Sequence, residues 1–148
     1  MNKCPNYIGS YFYSMDAKNR LAIPSKMRFS ISKPKELVLS CGLEGCLNLY
    51  EVENWLELNK KLESAPMKNR AEQRAFKRML YASASEVEFD DEGRILVPQN
   101  LALYAHLKRE VAIIGVGEKI ELWDKQAWAQ YQARQSGAFK RYASKLEI

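Results

Sequence analysis

The stretch "MDAKNRLAIP", residues 15–24, returns as "FDDEGRILVP" at residues 89–98. Both keep an Asp, an Arg four residues on and a Pro four residues after that: Asp16, Arg20 and Pro24, then Asp90, Arg94 and Pro98. Asn19 stands where the second copy has Gly93, and Lys18 where it has Glu92. An Asp side chain accepts backbone N–H bonds two residues on, and Gly or Asn tolerates the left-handed conformation that closes a tight turn. Both versions therefore satisfy one backbone requirement, that of a hairpin turn. After the turn side chains alternate, so Leu21 and Ile23, or Ile95 and Val97, share the packed face of a strand while Arg20 and Arg94 take the other. Pro24 and Pro98 then stop strand pairing and suit the first turn of a short helix, where a missing N–H costs nothing.

The duplication extends beyond the motif. A shift of 74 residues places Glu36 of "ELVLSC" on Glu110 of "EVAIIG"; a shift of 73 places Leu47, Leu49, Tyr50 and Trp55 on Ile120, Leu122, Trp123 and Trp128. One unit is written twice with a one-residue slip. In each, alternation at Tyr11, Tyr13 and Met15, or at Val87 and Phe89, predicts a strand ending at the motif aspartate. Two more strands follow the motif, "ELVLSC" and "CLNLYEV" or "EVAIIGV" and "KIELWDK", with Gly42, Gly45, Gly115 and Gly117 as turn residues. Each unit closes with a helix. The first carries Trp55, Leu58 and Leu62 at helical spacing, and the second carries Trp128 and Tyr131 after the candidate cap Asp124, with both tryptophans read as core. Between the units, "MKNRAEQRAFKRMLYASA" reads as a helix with Phe76, Met79 and Leu80 on one side and Arg70, Arg74 and Arg78 on another. The expected organisation is a first repeat over 7–62, a connecting basic helix over 63–84, a second repeat over 85–135 and a basic tail over 136–148, in a mainly β fold with helices (α+β).

Composition narrows the function. At 148 residues and 47% hydrophobic content the chain can bury a core. Its longest apolar runs, such as "VAIIGVG", fall far short of the roughly 20 residues of a membrane span, and "MNKCPNYIG" lacks the apolar block of a secretory signal. A cytoplasmic protein with no membrane partner is expected. Cys4, Cys41 and Cys46 read as reduced thiols, since neither a disulfide framework nor zinc spacing is present, and no metal or other cofactor is expected. The +5 formal charge is uneven: Lys68, Arg70, Arg74, Lys77 and Arg78 face only Glu72 within residues 66–80, and the tail adds Lys140, Arg141 and Lys145 against Glu147. A polyanion is a credible partner.

The stretches "YIGSYFYSMDAKNRLAIPSKMR", "RAFKRMLYASASEVEFDDEGRILVP" and "VAIIGVGEKIELWDKQAW" together resemble the MraZ family of bacterial transcriptional regulators, over about residues 7 to 131. The resemblance implies a double-split β-barrel built from two tandem swapped-hairpin repeats of the AbrB kind, and assembly into a closed homo-oligomeric ring. It further implies association with the nucleoid and binding of double-stranded DNA at short direct repeats upstream of the chain's own gene, at the head of the division and cell-wall cluster, typically as a repressor. Carried over by position, the DNA-facing candidates are Asp16, Lys18 and Arg20 in the first repeat and Asp90 and Arg94 in the second. The chain departs from the pattern at Asn19, where Gly is common, and its "MNKCP" extension has no family counterpart. Asp91 and Glu92 would repel phosphate, so the first turn is expected to contribute more binding than the second.

The expected mechanism has each aspartate fix its turn while Arg20 and Arg94 project toward the O6 and N7 edge of guanine. A plainer reading of Asp-x-x-x-Arg is an ion pair that only braces a solvated turn. Two other classes compete. One is a hydrolase using Asp16 with Asp90, or Asp90 with Asp91, as acid and base; no phosphate-cradling glycine loop or metal pattern accompanies them, and His106 stands alone. The other is a ring-forming scaffold that binds RNA or an acidic protein.

Overall fold

The computed structural model describes residues 7–66 and 68–148; the "MNKCP" extension with Cys4 lies outside them. The first repeat supplies β1 (Ser10–Ser14), β2 (Arg20–Ala22), α1 (Ser25–Arg28), β3 (Leu37–Cys41), β4 (Leu47–Glu51) and α2 (Val52–Ser64). Helix α3 (Arg70–Ser83) leads to β5 (Ser85–Val87), β6 (Arg94–Leu96), α4 (Gln99–Tyr104), β7 (Glu110–Gly115), β8 (Ile120–Asp124) and α5 (Lys125–Gln135). A 3-10 turn, Ser136–Ala138, and α6 (Phe139–Lys145) follow. The fold is α+β with antiparallel strands. β1 and β5 stop at Ser14 and Val87, short of the motif aspartates, because Asp16 and Asp90 turn their own N–H groups back to the Arg20 and Arg94 carbonyls.

The strands form a six-stranded sheet in the order β1-β7-β8-β4-β3-β5 and a two-stranded ribbon, β2-β6. Read from either end, the order exchanges the repeats: β1 answers β5, β7 answers β3, and β8 answers β4. Among the described residues the only ladders internal to a repeat are the hairpins β3-β4 and β7-β8; β1-β7, β3-β5, β4-β8 and β2-β6 all join one repeat to the other. The one-residue slip between the copies lies in those hairpins, whose loops span residues 42–46 in the first and 116–119 in the second.

Burial follows the alternation of side chains. In the ribbon Leu21 pairs with Ile95, both fully buried, and Ile23 and Val97 continue the same inward face. These four join Leu37, Leu39, Leu47, Leu49, Val111, Ile113, Ile120 and Leu122 from the large sheet and Met27 and Leu101 from α1 and α4 in one core. Pro24 and Pro98 each stand at the N-cap of the short helix they precede. At the C-terminal end of β7, Gly115 is pressed against the chain ahead of β1. A Cβ there would collide with the Ile8 nitrogen, in the segment where Tyr7 and Gly117 exchange backbone hydrogen bonds. The Tyr7 hydroxyl donates to Glu51 Oε2 at 2.5 Å, and burial, with that carboxylate, holds the phenol well above its usual range.

The tryptophans take different surroundings. Trp123, Trp128 and Tyr131 cluster over Ala112 and Ile114, with Trp123 and Trp128 edge-to-face at 5.2 Å; Asp124 caps α5 by accepting from the Ala127 N–H at 3.0 Å. Trp55 is half-buried between Tyr50 and Tyr81. Cys46 lies in the Trp123 cluster, and burial pushes its thiol up to about 12, so it stays protonated and inert. Cys41 is free as well. Of Phe76, Met79 and Leu80 on α3 only Leu80 is buried; Met79 is 74% exposed. His106 is exposed at φ 54 and ends α4. Among the described residues, no helix is long and apolar enough to cross a membrane.

Candidate nucleic-acid interface

The two motif turns are built alike, bond for bond. In the first, Asp16 Oδ1 accepts from the Lys18 and Arg20 backbone N–H groups, each at 2.9 Å, and Oδ2 accepts from Arg20 Nε at 2.8 Å. In the second, Asp90 Oδ1 accepts from Glu92 at 2.9 Å and Arg94 at 3.0 Å, and Oδ2 from Arg94 Nε at 2.9 Å. Asn19 and Gly93 occupy the left-handed region at φ 61 and 76, so the Asn-for-Gly exchange leaves the turn intact. The backbone N–H of Arg20, then its side chain and the Lys18 N–H, holds the Asp16 carboxyl below its ordinary value of 3.8; Asp90 is lowered in the same way, first by the Arg94 N–H. Both carboxylates therefore stay ionised and bound to their turns at neutral pH.

The ribbon brings the two turns together. β2 and β6 run antiparallel with Arg20 opposite Leu96 and Ala22 opposite Arg94, so both arginines lie on the face away from the core. The Val97 N–H donates to the Asn19 carbonyl at 2.8 Å, and the Ile23 N–H to the Gly93 carbonyl at 3.2 Å, stitching each turn to the opposite strand. Arg94 Nη1 reaches Asp16 Oδ2 at 3.8 Å. The two turns thus share one composite surface, on which Leu96 is 58% exposed.

The arginines differ in what remains available. Among the described residues Arg20 pairs with Asp16 alone, and its side chain keeps 36% exposure. Arg94 keeps 23% and is held by Asp90, by Asp16 and, through Nη2, by Glu92 at 3.3 Å; its hydrogen bond to Asp90 leads the causes that raise its pKa. The ion-pair brace anticipated as the plainer reading is present in both turns. It takes Nε, which leaves the Nη edge of Arg20 as the side open to an acceptor. Lys18 is exposed at the tip of the first turn. Arg70, Arg74 and Arg78 are exposed on α3, apart from the ribbon in sequence and on a separate element.

Arg28, which the sequence reading passed over, lies beside the second turn. A methyl placed on Gly93 would sit 2.6 Å from Arg28 Nε and 2.7 Å from Cζ, so the guanidinium fills the space a side chain at 93 would need. Its Cζ stands 5.1 Å from the centre of the Phe29 ring. The signal was in the repeat alignment: Arg28 falls on Ala102 as Gly93 falls on Asn19, so the arginine and the glycine that makes room for it occur together. In the other half, the Asn19 side chain donates to Gln99 Oε1 at 2.9 Å.

The family model described as "MraZ protein, putative antitoxin-like" matches this chain twice, over residues 7–79 and 80–146. Among similar curated proteins, the "Transcriptional regulator MraZ" of Acetivibrio thermocellus is 42% identical over 142 residues, 96% of this chain and 97% of that protein. The protein of the same name in Alkaliphilus metalliredigens is 38% identical, covering 95% of this chain and 96% of its own length. That of Clostridium acetobutylicum is 42% identical over 125 residues, 84% of this chain and 86% of its own.

Proposed function

This chain belongs to the MraZ family, and from that premise we propose that it is a DNA-binding transcriptional regulator that reads bases with the ribbon face of β2 and β6. The observation that carries the reading is the duplicated brace, in which Asp16 and Asp90 each hold an arginine by Nε beside a rigid turn. A guanidinium held by Nε can present only its Nη edge, and that edge bonds guanine O6 and N7 end-on with little orientational entropy left to lose. Asp16 and Asp90 are positioning residues in this scheme, Arg20 the principal base contact, Arg94 a weaker one and Lys18 a phosphate contact.

One bidentate pair is worth about 1 to 3 kcal/mol of discrimination, too little for a regulator acting through a single site. Copies joined in a closed ring, engaging short direct repeats upstream of the chain's own gene, would link weak contacts into useful affinity. Repression of that gene and of the division and cell-wall cluster behind it, in the cytoplasm at the nucleoid, is the physiological role we assign. We read the six-stranded sheet and the ribbon, packed over one core, as the two parts of the split barrel of AbrB-type repeats. The acid-base alternative is disfavoured because both carboxylates are committed to turn N–H groups and lowered in pKa, the opposite of a base poised near neutrality.

A gel-shift titration tests the proposal, using duplex DNA from the chain's own upstream region, scrambled duplex and RNA as competitors. The upstream duplex is expected to compete best. Arg20→Ala is expected to abolish that preference while light scattering shows assembly unchanged. Full promoter affinity in the variant would remove Arg20 from the site, and RNA competing equally would favour the scaffold reading.

A further inference from the structure

The second turn poses an electrostatic difficulty for any protein that lays this ribbon against a duplex. It carries Asp90, Asp91 and Glu92, where the first carries Asp16 and Lys18, and its one arginine is enclosed by three carboxylates. A phosphate approaching it would meet net negative charge. Arg28 changes that balance. It comes from α1 of the first repeat, yet its guanidinium rests against Gly93 of the second turn. Unlike Arg20 and Arg94, it forms no ion pair among the described residues, and its buried Nε has no hydrogen-bond partner there.

We propose that Arg28 is the phosphate-binding cation of the second turn, supplied across the ribbon by the first repeat in place of the lysine that the second turn lacks. This rests on the DNA-binding reading of the ribbon. The compensating exchange supports it: glycine at 93 accompanies arginine at 28, and asparagine at 19 accompanies alanine at 102. Each turn then has one cation outside its aspartate–arginine brace, Lys18 on the chain of the first and Arg28 packed onto the second. Gly93 and the Phe29 ring lie against the Arg28 guanidinium and restrict its orientations, so engaging a phosphate would cost it less conformational freedom than it would cost a fully solvated side chain.

Fluorescence-anisotropy titrations of the full chain between 50 and 200 mM salt, on the upstream duplex and on a scrambled one, test this. Arg28→Gln is expected to weaken both duplexes by the same factor and leave their ratio unchanged. Over that salt range its affinity should fall about 3.5-fold less than that of the wild type per engaged subunit, one phosphate contact having been lost. Arg28→Lys should restore the salt dependence. Arg28→Met, which keeps the apolar stem without the charge, gives the same reading should the glutamine variant fold poorly by circular dichroism. An unchanged salt dependence in the neutral variants, with Arg20→Ala still losing sequence preference, would overturn the role of Arg28 and leave the DNA reading standing. A changed ratio between the duplexes would make Arg28 a base contact and overturn its phosphate role. A wild type that bound neither duplex would overturn both.

Discussion

At Asp16 one oxygen accepts two backbone N–H groups of its own turn while the other holds Arg20 and stands 3.8 Å from an Nη of Arg94, so one residue positions both arginines. The duplicate at Asp90 serves only its own turn, and the two are therefore not equivalent despite matching sequence. Both carboxyls are lowered from 3.8, chiefly by the arginine N–H each accepts. A carboxyl depressed in the folded state stabilises it above the unfolded pKa, and that contribution disappears as pH falls through the folded value. The braces are accordingly expected to persist at pH 4 and open only in stronger acid. Carboxyl chemical shifts followed by NMR should give midpoints below 3.8 for Asp16 and Asp90, and a midpoint at or above that value for either would mean its brace is absent in solution.

The ribbon of β2 and β6 is the element on which the arginines depend, and it has only three residues in each strand. Strands this short keep their register through the face they bury. A slip of one residue would send Arg20 and Arg94 inward and Leu21 and Ile95 outward. Leu21 is fully buried against Ile95 and the core of the large sheet. Leu21→Ala is expected to cost about 2 to 5 kcal/mol, read as a lowered midpoint in chemical denaturation. Its DNA affinity should fall with it although no charged group has changed. Wild-type stability in this variant would show that the ribbon is not part of the cooperative core.

Across the whole molecule the two repeats share one core and no complete sheet belongs to either. Among the described residues, four of the six strand ladders cross between them, leaving each repeat alone with a single hairpin and unpaired edges. Expressed separately, residues 1–66 and 67–148 are each expected to lack a cooperative thermal transition at micromolar concentration, and to regain one when mixed. A cooperative melt of either fragment as a monomer would contradict the interlocked arrangement. The interlocking also explains why the motif turns meet: symmetry between the repeats places β2 against β6 and fuses two weak features into one surface.

Sequence alone determined the local features. Aspartate acceptors and left-handed Asn19 and Gly93 are requirements of a few neighbouring residues, and alternating apolar side chains disclose which face of each strand is buried. Duplication was legible for the same reason, since each copy solves the same local problem with similar residues. Which strand pairs with which was decided by the tertiary structure, because hydrogen-bonded neighbours such as Tyr13 and Val111 lie far apart in the chain and carry no mark of each other. The enclosure of Arg94 and the placement of Arg28 were decided there as well. Both depend on charges and packing contributed by the other repeat, and only folding brings those into range.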